Sequence, residues 1–498
     1  MEGLVVDESL LLSDEEYGDR KKTGLFLLPE AAKMLRRLQY SNLRVVISYE
    51  DGVSSEKENL LQRIVADYCL ECIPWKTSLV DNDAFHKLLI SWRSCGGTCL
   101  YATSKRYEDL FPKLFNYGWK VIMKRAAGTG PLDNMNMVLI DKLEELLFTL
   151  SRFSKTNEIY AASNVIIGYI MKPSREADFA KRGAFPLRPT QNGLIFVPLT
   201  LELPLSWQVS EVDAILHKAT DEIISIDSTM ALDFPKGIVF TKGMQQLERY
   251  IQDYPDCCLI DPLNNIYPML DRLRIQDILL GIENLGQKNG SRIRGAQFVK
   301  LDDFKEANLK DKLSEAGLSF PNIVKPQVAC GVSNAHNMAL VFKTEHFRDL
   351  HVPLPAIVQE YVDHGSVLFK FYVLGDNIFY AVKKSMPNVK ALKLSSEKNG
   401  SSSISFDSLK SLPVADVDLT PKGRQQFLNV ELVTNAANWL RRKLELTIFG
   451  FDVVIQEGSN DHVIVDLNYL PSFKEVPDSV AIPAFWDAIK NSYESRKR

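Results

Sequence analysis

The stretch "FGFDVVIQEGSNDHVIVDLNYLP", residues 449–471, constrains this chain more than any other. Two apolar, strand-like runs flank a turn-rich connection, "EGSND", so the segment predicts an antiparallel hairpin. Side chains alternate along a strand, which puts Asp466 and Asn468 on one face. A hairpin symmetric about Ser459 sets Gln456 opposite His462, Val454 opposite Ile464 and Asp452 opposite Asp466. Carboxylates paired in this way have Cβ atoms roughly 5 Å apart and repel each other. A cation between them removes the repulsion. Two carboxylates and an amide offer oxygen ligands, which suits a hard ion that also holds phosphate oxygens, namely Mg²⁺.

The rest of the chain must build a scaffold for that hairpin. Its 498 residues, 45% of them hydrophobic, suffice for two or three domains. A net charge of −4 argues against a general nucleic-acid binder. "MEGLVVDESL" lacks the basic start and apolar core of a signal peptide, and the apolar runs are strand-sized, so no bilayer span is expected. The expectation is a soluble, monomeric protein of the cytoplasm, with the nucleus as a second location. Seven cysteines without a signal peptide read as free thiols rather than a disulfide framework. A zinc site from Cys69, Cys72, Cys95 and Cys99 is the less favoured alternative, because the second pair lies among strand-like runs.

Residues 1–155 alternate short strands (3–7, 44–49, 98–104, 119–124) with helices (31–39, 56–69, 106–115, 141–153), the last with Asp141 as N-cap. That alternation predicts a doubly wound, Rossmann-like α/β domain. "SKTNE" (154–158) reads as a linker, and a second α/β unit spans 160–270. Residues 271–498 mix helices with long hairpins, such as 366–384, where Gly375-Asp376-Asn377 supplies the turn. The Ser-rich "SSEKNGSSS" (395–403) reads as a mobile loop.

Lys325 closes an apolar strand ahead of a small-residue loop, Ala329 to Ala335. It fits a point charge for nucleotide phosphates, and equally a lysine snorkelling from a core. Basic residues cluster at Lys172, Arg175, Lys181, Arg182 and Arg188, at His217 and Lys218, at Arg272 and Arg274, and at Lys383, Lys384, Lys390 and Lys393. Singly, each cluster is a solvated face. Together with a Mg²⁺ site they point to a phosphate-rich polyanion.

"IIGYIMKPSR", "ILHKATDEI", "IDPLNNIYPMLDR", "IVKPQVACGVSNAHNMALVF", "VQEYVDHGSVLFKFYVLGD", "VKKSMPNV" and the hairpin occur in this order along 164–490. In these signatures the chain resembles the inositol tris/tetrakisphosphate kinase family (inositol 1,3,4-trisphosphate 5/6-kinases), whose core is an ATP-grasp fold. The match is to the plant-type outlying member with an extra N-terminal domain. The resemblance implies a mixed α/β and α+β protein, with an ATP-grasp core of three subdomains behind the extra domain. It implies transfer of the γ-phosphate of ATP to a free hydroxyl of inositol tris- and tetrakisphosphates, with a reversible transfer that gives isomerase activity.

The resemblance further implies that ATP meets Arg272, Lys325, Gln359, Glu360, Tyr361, Val362, Lys370, Ser385 and Ser408. It assigns substrate to Arg175, Lys218, His336, Lys370, Asn468 and Ser472, with His217 nearby. Mg²⁺ falls to Asp452, Asp466 and Asn468, in agreement with the hairpin. No general base is implied. Three positions depart from the family: Arg175 for a lysine, Ser472 for a glycine, and Lys383-Lys384 where an arginine is common. Competing functions are an ATP-grasp carboxylate–amine ligase, disfavoured by the basic clusters, and a non-catalytic inositol phosphate sensor, disfavoured by an intact metal set. Asp7 ends a strand as the nucleophile of a haloacid-dehalogenase-like phosphatase does, but Ser9 replaces the second aspartate of that motif. A degenerate, non-catalytic domain of that kind is expected, dispensable for kinase activity because every motif lies beyond it.

Overall fold

The computed structural model describes residues 3–13, 24–75, 84–93, 98–126, 135–156, 164–200, 203–227, 237–285, 287–288, 291–398, 403–414 and 427–497. Contacts divide the chain into two compact units, Met1–Leu216 and His217–Arg498. The division falls inside the expected 160–270 segment.

The first unit contains a six-stranded parallel sheet in the order Glu71–Trp75, Arg44–Glu50, Gly3–Asp7, Cys99–Thr103, Lys120–Lys124, Met137–Ile140. The two outermost strands were not expected from the sequence. "ECIPW" carries a charge and an internal proline, which demote a strand, and both features are tolerated because it lies at an edge. The last helix runs Glu145–Thr156, four residues later than expected, and Asp141 does not cap it. Instead the Asp141 N–H donates to Glu145 Oε2 at 3.0 Å. Residues 157–158 of the expected linker lie outside the described residues.

That helix also packs against the segment C-terminal to it. Phe148 meets Trp207 edge-to-face at 5.1 Å, and Lys155 pairs with Asp213 at 2.7 Å. Arg37 reaches Glu176 at 3.0 Å, and the Leu187 N–H donates to the Ser41 carbonyl at 2.9 Å. A cut at residue 155 would sever all four contacts. Phe148→Ala should destabilise this unit by about 3–5 kcal/mol through the buried cavity it leaves. Urea unfolding of the full chain measures this; a loss below about 1 kcal/mol would mean the junction does not stabilise the unit.

Besides a two-stranded ribbon of Ile223–Ile226 with Ile238–Phe240, the second unit holds two large sheets. One has five strands in the order Phe298–Leu301, Ala356–Glu360, Asn322–Pro326, Asn337–Val341, Ser403–Asp407. Its inner strands bury Val324, Ala339, Ala356 and Val358 against Phe304 and Phe347. The other has six, ending Ser291–Gly295, His462–Tyr469, Ile448–Ile455, Val367–Leu374, Asn377–Lys384. The Val367–Lys384 hairpin turns through two residues, Gly375 and Asp376, with Asn377 already paired to Leu374. Of the Ser-rich segment expected as a loop, residues up to 398 are helical and Ser403 opens a strand; 399–402 lie outside the described residues. No helix among the described residues is long and apolar enough to cross a membrane.

Candidate active site

Asp452 and Asp466 face each other across the Ile448–Ile455 and His462–Tyr469 strands, the pairing expected from the hairpin. The rest of the expected register does not hold. Ile455, not Gln456, pairs with His462, and Val453, not Val454, pairs with Ile464. Positive φ at Gly458 and Asn460 sets a tip one residue out of step. A bulge at Val465 restores the step, so the two aspartates meet after all.

The bulge has a chemical consequence. The Val465 carbonyl accepts from Lys325 Nζ at 3.1 Å and from Gln359 Nε2 at 3.4 Å, both reaching from the other sheet. Lys325 is thereby held at the carboxylate pair. Burial pushes its ammonium down to about 8, with Asp466 and Asp452 pulling upward and Arg272 downward. Asp452 moves the opposite way. Burial raises its carboxyl to about 7; Lys370, its cross-strand partner, lowers it and Asp466 raises it. Asp452 Oδ1 is buried and finds no hydrogen-bond partner among the described residues. A buried carboxylate oxygen without a donor, opposite a second carboxylate, fits a cation ligand. Asn468 shares this face, opposite Gly450, whose missing side chain leaves the Phe371 carbonyl and Pro471 undisturbed. Among the described residues no group of three His, Cys, Asp or Glu could hold a metal. The candidate set is two carboxylates and one amide. Cys69, Cys72 and Cys99 are free thiols, and Cys95 lies outside the described residues.

Arg272 has a different environment from the one expected. Its guanidinium is buried and donates to the carbonyls of Pro326 (2.6 Å), Val328 (2.8 Å), Ala335 (3.2 Å) and Ala329 (3.2 Å). It therefore pins the small-residue loop behind Lys325. A lysine cannot serve four carbonyls with one ammonium, so Arg272→Lys should cost about 2–4 kcal/mol and loosen the loop. Limited proteolysis within 326–336 reads this; unchanged resistance would show that the loop holds itself.

Residues 359–362 turn their side chains toward their own fold. Glu360 pairs with Arg294 and accepts the Gln297 N–H at 2.7 Å. The Tyr361 hydroxyl donates to the Pro387 carbonyl at 2.6 Å, and Val362 is buried. Ser385 donates to His364 Nε2 at 2.8 Å, while His364 Nδ1 donates to the Val362 carbonyl at 2.6 Å. His336 and Ser408 are brought together at 3.2 Å. Burial lowers the His336 imidazole, Arg272 adds to this, and Asp466 opposes it. Lys218 is buried, donates to the Tyr469 carbonyl and lies 4.8 Å over that ring. His217 is fully buried. Its Nε2 donates to the Asp261 carbonyl at 2.7 Å and its Nδ1 accepts from the Ala219 N–H at 3.3 Å, so the ring serves the fold rather than a ligand. Burial holds it at about 4. Ser472 sits half-buried between Leu470 and Phe473, both with positive φ. Arg175 belongs to the first unit, on the helix Pro173–Lys181.

Sequence reasoning missed an apolar surface beside Lys325. Ile323 shares its face of the strand and packs with Met338, Leu340 and Leu392, flanked by Tyr361 and Met386. The alternation of Ile323 and Lys325 was the available signal.

In the first unit Asp7 ends a central strand where the strand order reverses, the position at which doubly wound sheets bind ligands. Here it is filled. Asp7 is fully buried and accepts from the hydroxyls of Tyr101 (2.7 Å), Tyr107 (3.1 Å) and Thr103 (3.3 Å), and from the Ser9 N–H at 3.1 Å. Burial raises its carboxyl.

Comparison with known proteins bears on the family. Residues 1–156 match the model "ITPK4, N-terminal HAD-like domain". Residues 166–266 match the inositol 1,3,4-trisphosphate 5/6-kinase pre-ATP-grasp domain, and 288–487 the ATP-grasp domain of the same kinases. The chain is 50% identical over 499 residues to inositol-tetrakisphosphate 1-kinase 6 of Oryza sativa subsp. japonica, covering 99% of this chain and 90% of that protein. Inositol-tetrakisphosphate 1-kinase of Danio rerio is 28% identical over 58% of this chain and 69% of its own. A Chryseobacterium gregarium ATP-grasp ligase overlays with a TM-score of 0.40 at 12% identity, covering 66% of this chain and 97% of that one, too distant a likeness to bear on function. With its hairpin carboxylates, strand-end lysine and three matching domains, the chain belongs to the inositol 1,3,4-trisphosphate 5/6-kinase family of ATP-grasp proteins.

Proposed function

We propose that this chain uses ATP to phosphorylate a free hydroxyl of inositol tris- and tetrakisphosphates. The observation that carries the reading is the Asp452–Asp466 pair, facing across the hairpin with Lys370 beside it and Lys325 tied to Val465. Phosphoryl transfer needs positioning and charge neutralisation more than covalent chemistry, and no general base is required. Asp452, Asp466 and Asn468 would hold Mg²⁺, which supplies charge neutralisation at phosphate oxygens. Lys325 meets the nucleotide phosphates, and the apolar surface around Ile323 takes the base, since base and phosphates then lie along one strand face. Residues 359–362 contribute backbone groups, the side chains of Glu360 and Tyr361 being engaged elsewhere. Lys370 and His336 orient the inositol phosphate.

The test is incubation with Mg²⁺ and ATP and a panel of inositol tris- and tetrakisphosphates, with the products resolved. A more highly phosphorylated inositol and ADP in equal amounts are expected. ATP unchanged with every acceptor would overturn the reading.

A further inference from the structure

The sheet face that carries the aspartate pair extends further than the sites assigned so far. Residues directly opposite in antiparallel strands share a face. Asp466, Asp452, Lys370 and Ala381 form one row across four strands. Along the strands from that row, Leu368 and its partner Lys383 lie on one side, and Tyr372, Gly450 and Asn468 on the other. Lys383 is near enough for its charge to act on Asp452. It is thus a candidate phosphate ligand on the same surface.

An internal anion already engages Lys383. Glu475, in the turn after the His462–Tyr469 strand, accepts from Lys383 Nζ on one oxygen and from the Tyr372 hydroxyl on the other. Tyr372 is 1% exposed, so its phenol is fixed and fixes the carboxylate in turn. Burial works against ionisation of Glu475, but the bonds from Lys383 and Tyr372 outweigh it and hold the carboxyl at about 2. Across the working pH range this is a permanent negative charge, lying over a face otherwise suited to phosphates.

We infer that Glu475 is a specificity-determining residue: bridged between Tyr372 and Lys383, its carboxylate occupies the place where a further substrate phosphate would otherwise bind. The site then favours inositol phosphates with a free hydroxyl at that point over more highly phosphorylated ones. A phosphate arriving there must displace a carboxylate from its ammonium and meets like charge at close range. The inference rests on the kinase reading for its substrate class.

The experiment compares the full chain with Glu475→Gln and Lys383→Met, using calorimetric titration with an inositol trisphosphate and an inositol pentakisphosphate, and ATP as a fold control. Glutamine keeps an acceptor for Tyr372 and removes the charge. Glu475→Gln should tighten pentakisphosphate about tenfold and trisphosphate less than threefold, with ATP affinity within twofold. Lys383→Met leaves Glu475 charged without its counterion, so it should weaken pentakisphosphate more than trisphosphate. A merely structural bridge would move both variants in the same direction. That result, or equal changes for the two ligands, or no change, would overturn the inference. Wild-type turnover of the trisphosphate is read in parallel. Binding that follows the expected pattern without turnover would defeat the kinase reading alone, and turnover with unaltered discrimination in Glu475→Gln would defeat this inference alone.

Discussion

Asp466→Asn should lower turnover by about three orders of magnitude while leaving the fold intact. The substitution keeps size and shape and removes one of two opposed charges. A single preorganised group acting on developing charge is worth about 10²–10³ in rate, and a metal ligand stands at the upper end or beyond. The same change should relieve Asp452, whose carboxyl is held near 7 in part by Asp466. The protein without ligand should therefore be no less stable than the wild type. A second readout separates the metal from the chemistry. Saturation of the wild type with Mg²⁺ and ATP at a hundredfold over Kd should add about 2.7 kcal/mol to stability, and in the variant the Mg²⁺-dependent part should vanish. A folded Asp466→Asn protein with near-normal turnover, or with an undiminished Mg²⁺-dependent thermal shift, would remove these residues from the metal site.

That pair was legible because alternation is a local rule. Asp466 and Asn468 share a face whatever the rest of the chain does. The pairing of Asp466 with Asp452 was reached from a symmetric hairpin, and the molecule reaches it by another route, through an offset tip and a bulge at Val465. No local preference in "VIVDLN" marks the bulge. It persists because Lys325 and Gln359, more than a hundred residues earlier, take the carbonyl it frees. The carbonyl partners of Arg272 could not be read for a similar reason. Four convergent backbone carbonyls exist only once the loop has folded. The role of His217 in the fold was equally hidden, because burial on every side cannot be read from "LHKA". In the first unit the plug over Asp7 comes from Tyr101, Thr103 and Tyr107, about a hundred residues away. The four inner strands of that sheet were legible and the two edge strands were not, one of them, "ECIPW", because its charge and internal proline argue against a strand.

Lys325→Met should weaken catalysis and strengthen the ligand-free fold at the same time. The catalytic loss follows from the removal of a buried cation tied beside the metal carboxylates, and should reach about 10²–10³ in kcat/KM for ATP. The gain comes from the cost of burying an ammonium. An ordinary lysine at 10.5 is held here at about 8. Between those two values the unfolded chain carries a proton that the folded one does not, so folding stability rises with pH from 8 to 10.5. Below pH 8 the folded protein bears the whole penalty of a buried charge, about 3 kcal/mol for a shift of this size. Methionine has nearly the same length and no charge to bury. It also gives up the bond to the Val465 carbonyl, worth about 1–2 kcal/mol, which leaves that oxygen to Gln359 alone. The net expectation at pH 7 is a gain of about 1–2 kcal/mol over the wild type. As pH approaches 10.5 the wild type loses its penalty and the gain should reverse, leaving the variant short of one hydrogen bond. Urea unfolding of both proteins at pH 7 and pH 10, with ATP kinetics at pH 7, reads all three quantities. A variant less stable than the wild type at pH 7 would mean that Lys325 is retained for the fold, and unchanged ATP kinetics would separate it from the nucleotide site.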